Sequence, residues 1–127
     1  MSGRVVHFEV PFDDADRARG FYRDVFDWEI QEMPEMGYNI VSTGPAGDDG
    51  MPSEPGYIGG GMMERQEQVR TPVIVLDVDD IDATLATVGE HGGGTVIAKM
   101  PVGDMGFAAY FTDSEGNRLG LWQSVSR

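Results

Sequence analysis

The sequence predicts an α+β fold made of two tandem βαβββ modules, and three observations support this prediction. Apolar and polar residues alternate over Val5–Val10 and again over Val73–Val78, which is the pattern of a half-buried strand. Each segment is followed by aspartates and then by apolar residues at helical spacing. When Asp14 is aligned with Asp80, the order of strand, helix and three strands occurs twice. One module cannot bury both faces of its sheet, so we expect the two copies to form a curved mixed sheet around a shared cavity.

The first strand has one apolar face and one polar face. Val6, Phe8 and Val10 lie on the apolar face because successive side chains of a strand point to opposite sides. His7 and Glu9 share the other face.

The first helix is predicted over Asp14–Phe26. Aspartates at its start suit the free amide groups and the positive end of the helix dipole. The helix has one apolar stripe, which we expect to lie on the sheet, and several arginines, which we expect to face water. The stripe consists of Ala18, Phe21, Tyr22 and Val25, and the arginines are Arg17, Arg19 and Arg23.

Three strands complete the first module. They are predicted over Trp28–Met33, Gly37–Thr43 and Tyr57–Met63, and three consecutive glycines weaken the last one. The segment Gly44–Gly56 between them is rich in Gly, Pro, Asp and Ser, which predicts a mobile, exposed loop. Glu64–Thr71 is polar and without a periodic stripe, so we place the first module at residues 1–65 and the second at 66–127.

The second module repeats this order. After the strand Val73–Val78, a helix begins near Asp80 and ends at His91 and Gly92, since glycine readily adopts the left-handed conformation that closes helices. Three further strands follow, the last two joined by a turn at Asp113–Asn117. The strands are predicted over Thr95–Lys99, Phe107–Thr112 and Arg118–Gln123.

Composition excludes several classes of protein. The formal net charge is −13 and Lys99 is the single lysine, so a nucleic-acid backbone would be repelled. The absence of cysteine excludes disulfides and thiolate sites. No apolar run approaches the roughly 20 residues that span a bilayer. Met1–Phe12 lacks the pattern of a secretory signal, so we expect a cytoplasmic protein.

Four motifs in register resemble the vicinal oxygen chelate superfamily, which includes glyoxalases and bleomycin-resistance proteins. Val6–Val10 followed by Phe21–Phe26 resembles the first strand and helix of that superfamily. Val78–Asp82 resembles the opening of its second helix, and Asp113–Asn117 resembles its final hairpin. The resemblance covers the whole chain and implies the same paired βαβββ architecture.

The resemblance also implies a metal site that this chain does not complete. Members of known activity use His, Glu or Gln ligands to hold a divalent ion, which chelates a substrate with adjacent oxygens. His7 falls on one ligand position, whereas the others fall near Gly59 or Gly60, at Val73 and at Gly120, none of which has a donor side chain. A catalytic zinc needs about three protein ligands. We therefore expect no metal cofactor, with His7, assisted by Glu9, as ligand only if an ion is present.

The leading functional hypothesis is a protein that binds a small organic molecule in its cavity. Aromatic, glycine and apolar positions would line that cavity, although aromatic residues on strands also serve as plain core. The expected ligand-binding residues are Tyr57, Gly60, Met62, Val73, Tyr110, Gly120 and Trp122.

Two other readings remain open. In one, a lyase or isomerase uses His7, with Glu9, as acid and base on an oxygenated metabolite, so whether the protein is an enzyme is not decided. His7 in a metal-free cavity can equally hydrogen-bond only a backbone group or a water. In the other, the cavity is vestigial and the acidic surface meets a partner protein. Paired modules of this superfamily often complete their cavity with a second subunit, so we expect a homodimer.

Overall fold

A computed structural model describes residues 3–48 and 51–125. The chain forms two compact units. The first unit is His7–Pro72, and the second unit is Met1–Val6 together with Val73–Arg127. Compactness does not define where a sequence module ends, so the boundary placed after residue 65 stays a prediction.

The first unit has the predicted order of strand, helix and three strands. Its elements are β1 (Val5–Phe12, which belongs to this unit from His7 onward), α1 (Ala15–Phe26), β2 (Glu29–Met33), β3 (Tyr38–Ser42) and β4 (Gly59–Glu64). The strands pair in the order β2, β3, β4, β1, with β1 parallel to β4 and the other pairs antiparallel. Alternation predicts the first strand over Val5–Val10, and β1 continues through Pro11 to Phe12. The fixed φ of proline is compatible with extended backbone.

The second unit repeats this order. Its elements are β5 (Val73–Asp77), α2 (Ile81–Glu90), β6 (Gly94–Val102), β7 (Gly106–Thr112) and β8 (Arg118–Ser124). The strands pair in the order β5, β8, β7, β6, with β5 parallel to β8. The predicted α+β class with a mixed sheet is therefore confirmed. Neither α1 nor α2, the α-helices of the described residues, is long and apolar enough to cross a membrane.

Aspartates begin both helices, as the sequence predicts. Asp14 precedes α1, and its Oδ1 accepts a hydrogen bond from the amide of Arg17 at 3.0 Å. Asp80 precedes α2, and its Oδ1 accepts from the amide of Ala83 at 3.0 Å. Each carboxylate satisfies one of the amides that a helix start leaves without an intrahelical partner.

The apolar stripe of α1 differs from the prediction. Phe21 and Val25 are 54% and 55% exposed, whereas Ala18 and Tyr22 pack on the core of the first unit. Arg19, expected to face water, has a side chain that is only 11% exposed. Ala18, Arg19 and Tyr22 follow helical spacing, so the buried face includes a cation that binds polar partners below the helix.

The core of the first unit lies between α1 and one face of its sheet. Ile30, Val41 and Met62 are its buried centre. The half-buried residues around them are Phe8, Val10, Phe12, Ala18, Tyr22 and Trp28. The Tyr22 and Trp28 rings stack with centroids 4.4 Å apart. Because Phe8, Val10 and Phe12 belong to this core, the side chains between them on β1 point to the opposite face.

The core of the second unit is built in the same way under α2. Its buried residues are Val78, Ile81, Ala109, Phe111 and Leu121. Alternate residues of β7 and β8 belong to this core, so Tyr110, Gly120 and Trp122 lie on the face away from α2.

Candidate functional site

Three polar side chains of the first unit form a hydrogen-bonded cluster, which we call the His7 cluster. His7 Nε2 lies 2.8 Å from Tyr38 Oη. The same hydroxyl donates a hydrogen bond to Glu9 Oε2 at 3.1 Å. Glu9 is 6% exposed, whereas His7 and Tyr38 are half-buried. A tyrosine from β3 therefore links the two residues that the sequence singles out on β1.

The register of the strands places this cluster on the face away from α1. His7 pairs with Gly59 and Glu9 pairs with Gly61 in the parallel β1–β4 ladder. Tyr38 pairs with Met63 on β4, two residues beyond Gly61 and on the same face. The prediction that His7 and Glu9 share a face opposite Phe8 is confirmed by the packing of Phe8 on the helix side.

Burial makes His7 an uncharged side chain at neutral pH. Removal of the ring from water lowers the pKa of His7 from 6.5 to about 4. An uncharged imidazole has one nitrogen that donates and one that accepts, so it can bind both kinds of group.

Tyr38 was not among the residues that sequence reasoning selected. Its position depends on Gly61, because a Cβ built at Gly61 would lie 1.8 Å from Tyr38 Oη. The glycine run of β4 was the available signal: a strand without side chains leaves room that a large side chain of a neighbouring strand can fill.

Gly60 and Gly120, two of the expected ligand-binding residues, lie close to neighbouring side chains. A Cβ at Gly60 would lie 2.5 Å from the ring of Phe8, on the helix side of the sheet. A Cβ at Gly120 would lie 3.0 Å from Val75 Cγ2. Neighbouring side chains therefore occupy these two positions, and the role of Gly60 and Gly120 in binding stays a prediction.

Two other expected ligand-binding residues have structural roles. Met62 is fully buried and belongs to the core under α1, on the face opposite His7. Tyr57 precedes β4 rather than belonging to it, and its hydroxyl donates to the carbonyl of Pro45 while its ring lies over Gly44. Tyr57 thus closes the loop before β4. The described residues of this loop are mostly exposed, as predicted.

The remaining expected residues lie in the second unit. Val73 and Tyr110 are buried, at 3% and 7% exposure, and Trp122 is half-buried. Tyr110 pairs with Gly120 and Ala108 with Trp122, so the two aromatic side chains share the face away from α2. Their role in binding stays a prediction.

A cleft of about 260 Å³ lies in the first unit beside Arg19, and Tyr38 is also among its lining residues. The Arg19 guanidinium donates to Asn39 Oδ1 at 3.1 Å and lies 2.6 Å from Asp16 Oδ1 and 3.5 Å from Glu32 Oε1. Asn39 in turn donates to the carbonyl of Met62 at 3.2 Å. Arg19 is therefore held by the protein's own acceptors, and the network anchors α1 to the sheet.

Comparison with known proteins assigns the family. A family described as bleomycin resistance protein-like N-terminal matches residues 4–44. A glyoxylase-like domain-containing protein from Didymella fabae is 30% identical over 123 residues, which are 92% of this chain and 91% of that protein. The chain belongs to the vicinal oxygen chelate superfamily. CFP32 from Mycobacterium bovis, known by name as a glyoxylase, is 29% identical over 116 residues, which are 87% of this chain and 42% of that protein. The chain thus spans less than half of the mycobacterial relative.

Solved structures agree with this superfamily fold. A glyoxalase/bleomycin resistance protein/dioxygenase superfamily member from Vibrio splendidus superimposes with a TM-score of 0.62 at 18% identity, covering 97% of this chain and 99% of that one. A methylmalonyl-CoA epimerase variant from Streptomyces coelicolor, in complex with 2-nitronate-propionyl-CoA, has a TM-score of 0.63 at 17% identity and covers 99% and 97%. Identities this low indicate a shared fold alone.

The residues present do not fit the metal ion that this superfamily implies. Within residues 3–48 and 51–125 no group of three or more His, Cys, Asp or Glu side chains is arranged to hold an ion. His7 and Glu9 are instead joined through the Tyr38 hydroxyl. Two donors bridged by a phenol do not supply the roughly three ligands of a catalytic zinc.

Proposed function

We propose that the protein binds a small organic molecule against the sheet face of the His7 cluster, without a metal ion. The observation that carries this proposal is the hydrogen-bonded chain from His7 through Tyr38 to Glu9 on a face that α1 does not cover. Binding sites are mostly apolar surfaces with a few fixed polar groups, and these three side chains supply such groups.

The cluster is organised before any ligand arrives. Tyr38 is held at two points, by His7 and by Glu9, and its ring is seated against Gly61. Side chains that are already ordered lose little rotational freedom when a ligand binds, so a larger share of each contact contributes to affinity. The tyrosine ring also offers an apolar surface beside its hydroxyl.

A thermal-shift screen of flat aromatic compounds tests the proposal. A ligand that binds only the folded protein raises the melting temperature. We expect hits that stabilise the wild type and lose most of their effect in His7→Phe and Tyr38→Phe. Tyr22→Phe is the matched control, since it removes the hydroxyl of a tyrosine that packs on the core on the helix side of the sheet. The absence of any hit, or hits that stabilise all variants equally, would count against the His7 cluster.

A second candidate is an isomerase or lyase that acts on an oxygenated metabolite. The imidazole of His7 is uncharged at neutral pH and can accept a proton, and the phenol and carboxylate beside it can hold or pass one. Because burial lowers the pKa of His7 to about 4, the imidazole is a weaker base than an exposed histidine. The structural likeness to an epimerase is compatible with such chemistry. Incubation with methylmalonyl-CoA in D₂O tests it: enzyme-dependent deuterium incorporation that disappears in His7→Phe would support this candidate.

For assembly, we propose a homodimer. Phe21, Val25 and Phe26 are between 54% and 56% exposed on one helix, and apolar patches of this kind often mark contact surfaces. Light scattering at micromolar concentration should give twice the monomer mass, and the monomer mass would refute the proposal. A cytoplasmic location likewise stays a prediction.

A further inference from the structure

We propose that Tyr38 is a positioning residue that fixes the tautomer of His7, so that the site selects ligands with an N–H or O–H donor. This inference rests on the proposed binding function and names the class of ligand: molecules with a hydrogen-bond donor are favoured over molecules that have only acceptor oxygens. Divalent ions are disfavoured for the same reason.

The hydrogen positions follow from counting donors and acceptors. The Tyr38 hydroxyl has one proton, and it donates that proton to Glu9 Oε2, because a carboxylate only accepts. Tyr38 Oη must then accept the hydrogen bond that joins it to His7 Nε2 at 2.8 Å. His7 Nε2 is therefore the protonated nitrogen, and the lone pair of the uncharged ring lies on Nδ1.

Nδ1 is the open position of the His7 cluster. Within the described residues, the contact with Tyr38 is the only hydrogen bond of the His7 side chain. Among the described residues, the side-chain atom that is both fully buried and without a hydrogen-bond partner is Arg118 Nε. Nδ1 of His7 has no such partner and is not in this group, so solvent or a ligand reaches it. A half-buried acceptor that lacks a protein partner binds best to a molecule that donates to it.

The same proton disfavours a metal ion. A nitrogen that bears hydrogen has no lone pair for coordination, so Nε2 cannot bind an ion while Tyr38 accepts from it. Coordination through Nδ1 would leave Glu9 behind the Tyr38 hydroxyl, which lies between the two side chains. The missing ligand side chains and the hydrogen-bond pattern therefore both disfavour a bound metal ion.

The tautomer can be measured on the ligand-free protein. The chain has two histidines, so ¹⁵N spectra of the imidazole rings at pH 8 are simple to assign with His7→Phe. We expect His7 to be protonated on Nε2. His91 is an internal control of the opposite kind, because its Nδ1 lies 2.9 Å from the carbonyl of Thr87 and must donate. Protonation of His7 on Nδ1 in the wild type would overturn the proposal.

Tyr38→Phe tests whether the tyrosine is responsible. It keeps the ring over Gly61 and removes only the hydroxyl, so we expect the share of the Nε2-protonated form of His7 to fall toward that of a free histidine side chain. An unchanged His7 spectrum in folded Tyr38→Phe would show that Tyr38 does not position the ring. A purely structural role would lower the melting temperature without changing the tautomer.

The ligand class is tested with phenol and anisole, which differ by the presence of the donor hydrogen. One hydrogen bond of about 1 kcal/mol corresponds to about fivefold in Kd. We expect phenol to bind the wild type about fivefold more tightly than anisole and to move the His7 Nδ1 resonance, with the preference lost in His7→Phe. Equal binding of both probes by the wild type would refute the ligand class and leave the binding function standing. Failure of both probes and of the aromatic screen would refute the binding function, whereas the tautomer result would stand on its own.

Discussion

Gly61→Ala is the sharpest test of how the His7 cluster is held. The new Cβ would fall 1.8 Å from Oη, 2.0 Å from Cζ and 2.4 Å from Cε2 of Tyr38. The overlap involves most of the ring edge, so the tyrosine must leave its place and give up the hydrogen bonds to His7 and Glu9. Loss of two hydrogen bonds, one of them to a carboxylate, corresponds to about 2 to 4 kcal/mol. A small gain from replacing a strand glycine, about 0.5 to 1 kcal/mol, offsets part of this loss.

Gly59→Ala is the matched control. Gly59 lies two residues earlier on β4 and on the same face, and among the described residues its Cβ would meet only the carbonyl oxygen of Val41, at 3.2 Å. Urea denaturation followed by tryptophan fluorescence gives the free energy of unfolding of both variants. We expect Gly61→Ala to be about 2 to 3 kcal/mol less stable than the wild type, and Gly59→Ala to differ from it by less than about 1 kcal/mol.

A double variant tests whether Gly61→Ala lowers stability through its clash with the Tyr38 ring or through a change in the backbone. In Tyr38→Ala the ring is absent, so adding Gly61→Ala to that background should cost almost nothing. The two substitutions are therefore expected to be strongly non-additive, with a coupling energy of about 2 kcal/mol. Additive effects, or a Gly61→Ala protein as stable as Gly59→Ala, would refute the steric account.

Three further predictions concern pH, capping and the helix face. The pKa of His7 is about 4 in the folded protein and 6.5 when unperturbed, so the unfolded chain binds more protons between these two pH values. The free energy of unfolding should therefore fall as the pH is lowered from 6.5 to 4, by up to about 3 kcal/mol more in the wild type than in His7→Phe. Asp80→Ala should lower the unfolding free energy by about 1 kcal/mol, because the amide of Ala83 loses its carboxylate acceptor. Tyr22→Ala should cost about 3 kcal/mol, whereas Phe21→Ser should cost less than about 1 kcal/mol in the monomer, since Tyr22 packs on the core and Phe21 is 54% exposed.

Each of these predictions has a clear contrary result. Parallel pH profiles for the wild type and His7→Phe would show that the imidazole is not desolvated. No change in melting temperature for Asp80→Ala would show that the cap is replaced by water. Equal losses of unfolding free energy for Tyr22→Ala and Phe21→Ser would indicate that α1 buries the apolar stripe that the sequence predicts.

The arrangement of elements was largely predictable from the sequence because it depends on local patterns. Alternation over Val5–Val10 and the aspartates Asp14 and Asp80 predict the strands and helix starts that the structure shows. The face of α1 was not predictable in the same way. A stripe that contains Phe21 appears more apolar than one that contains Arg19, yet Arg19 is buried because Asn39 and acidic side chains bind its guanidinium.

The candidate site was predicted in part. Strand periodicity places His7 and Glu9 together, and this needs only the sequence of β1. The partner that joins them, Tyr38, comes from β3 and depends on the register between β3 and β4, which a sequence pattern does not specify. The surroundings of Gly60 and Gly120 depend on strand pairing in the same way, because Phe8 and Val75 approach these glycines across strands.

The interlocking of Gly61 and Tyr38 also constrains how this chain can change over generations. Any larger residue at position 61 collides with the tyrosine, and loss of the tyrosine alone leaves His7 and Glu9 without their link. A larger side chain can therefore be introduced at position 61 only by way of one of these two weakened intermediates. Positions 38 and 61 are coupled, and a tolerated change at one of them requires a matching change at the other.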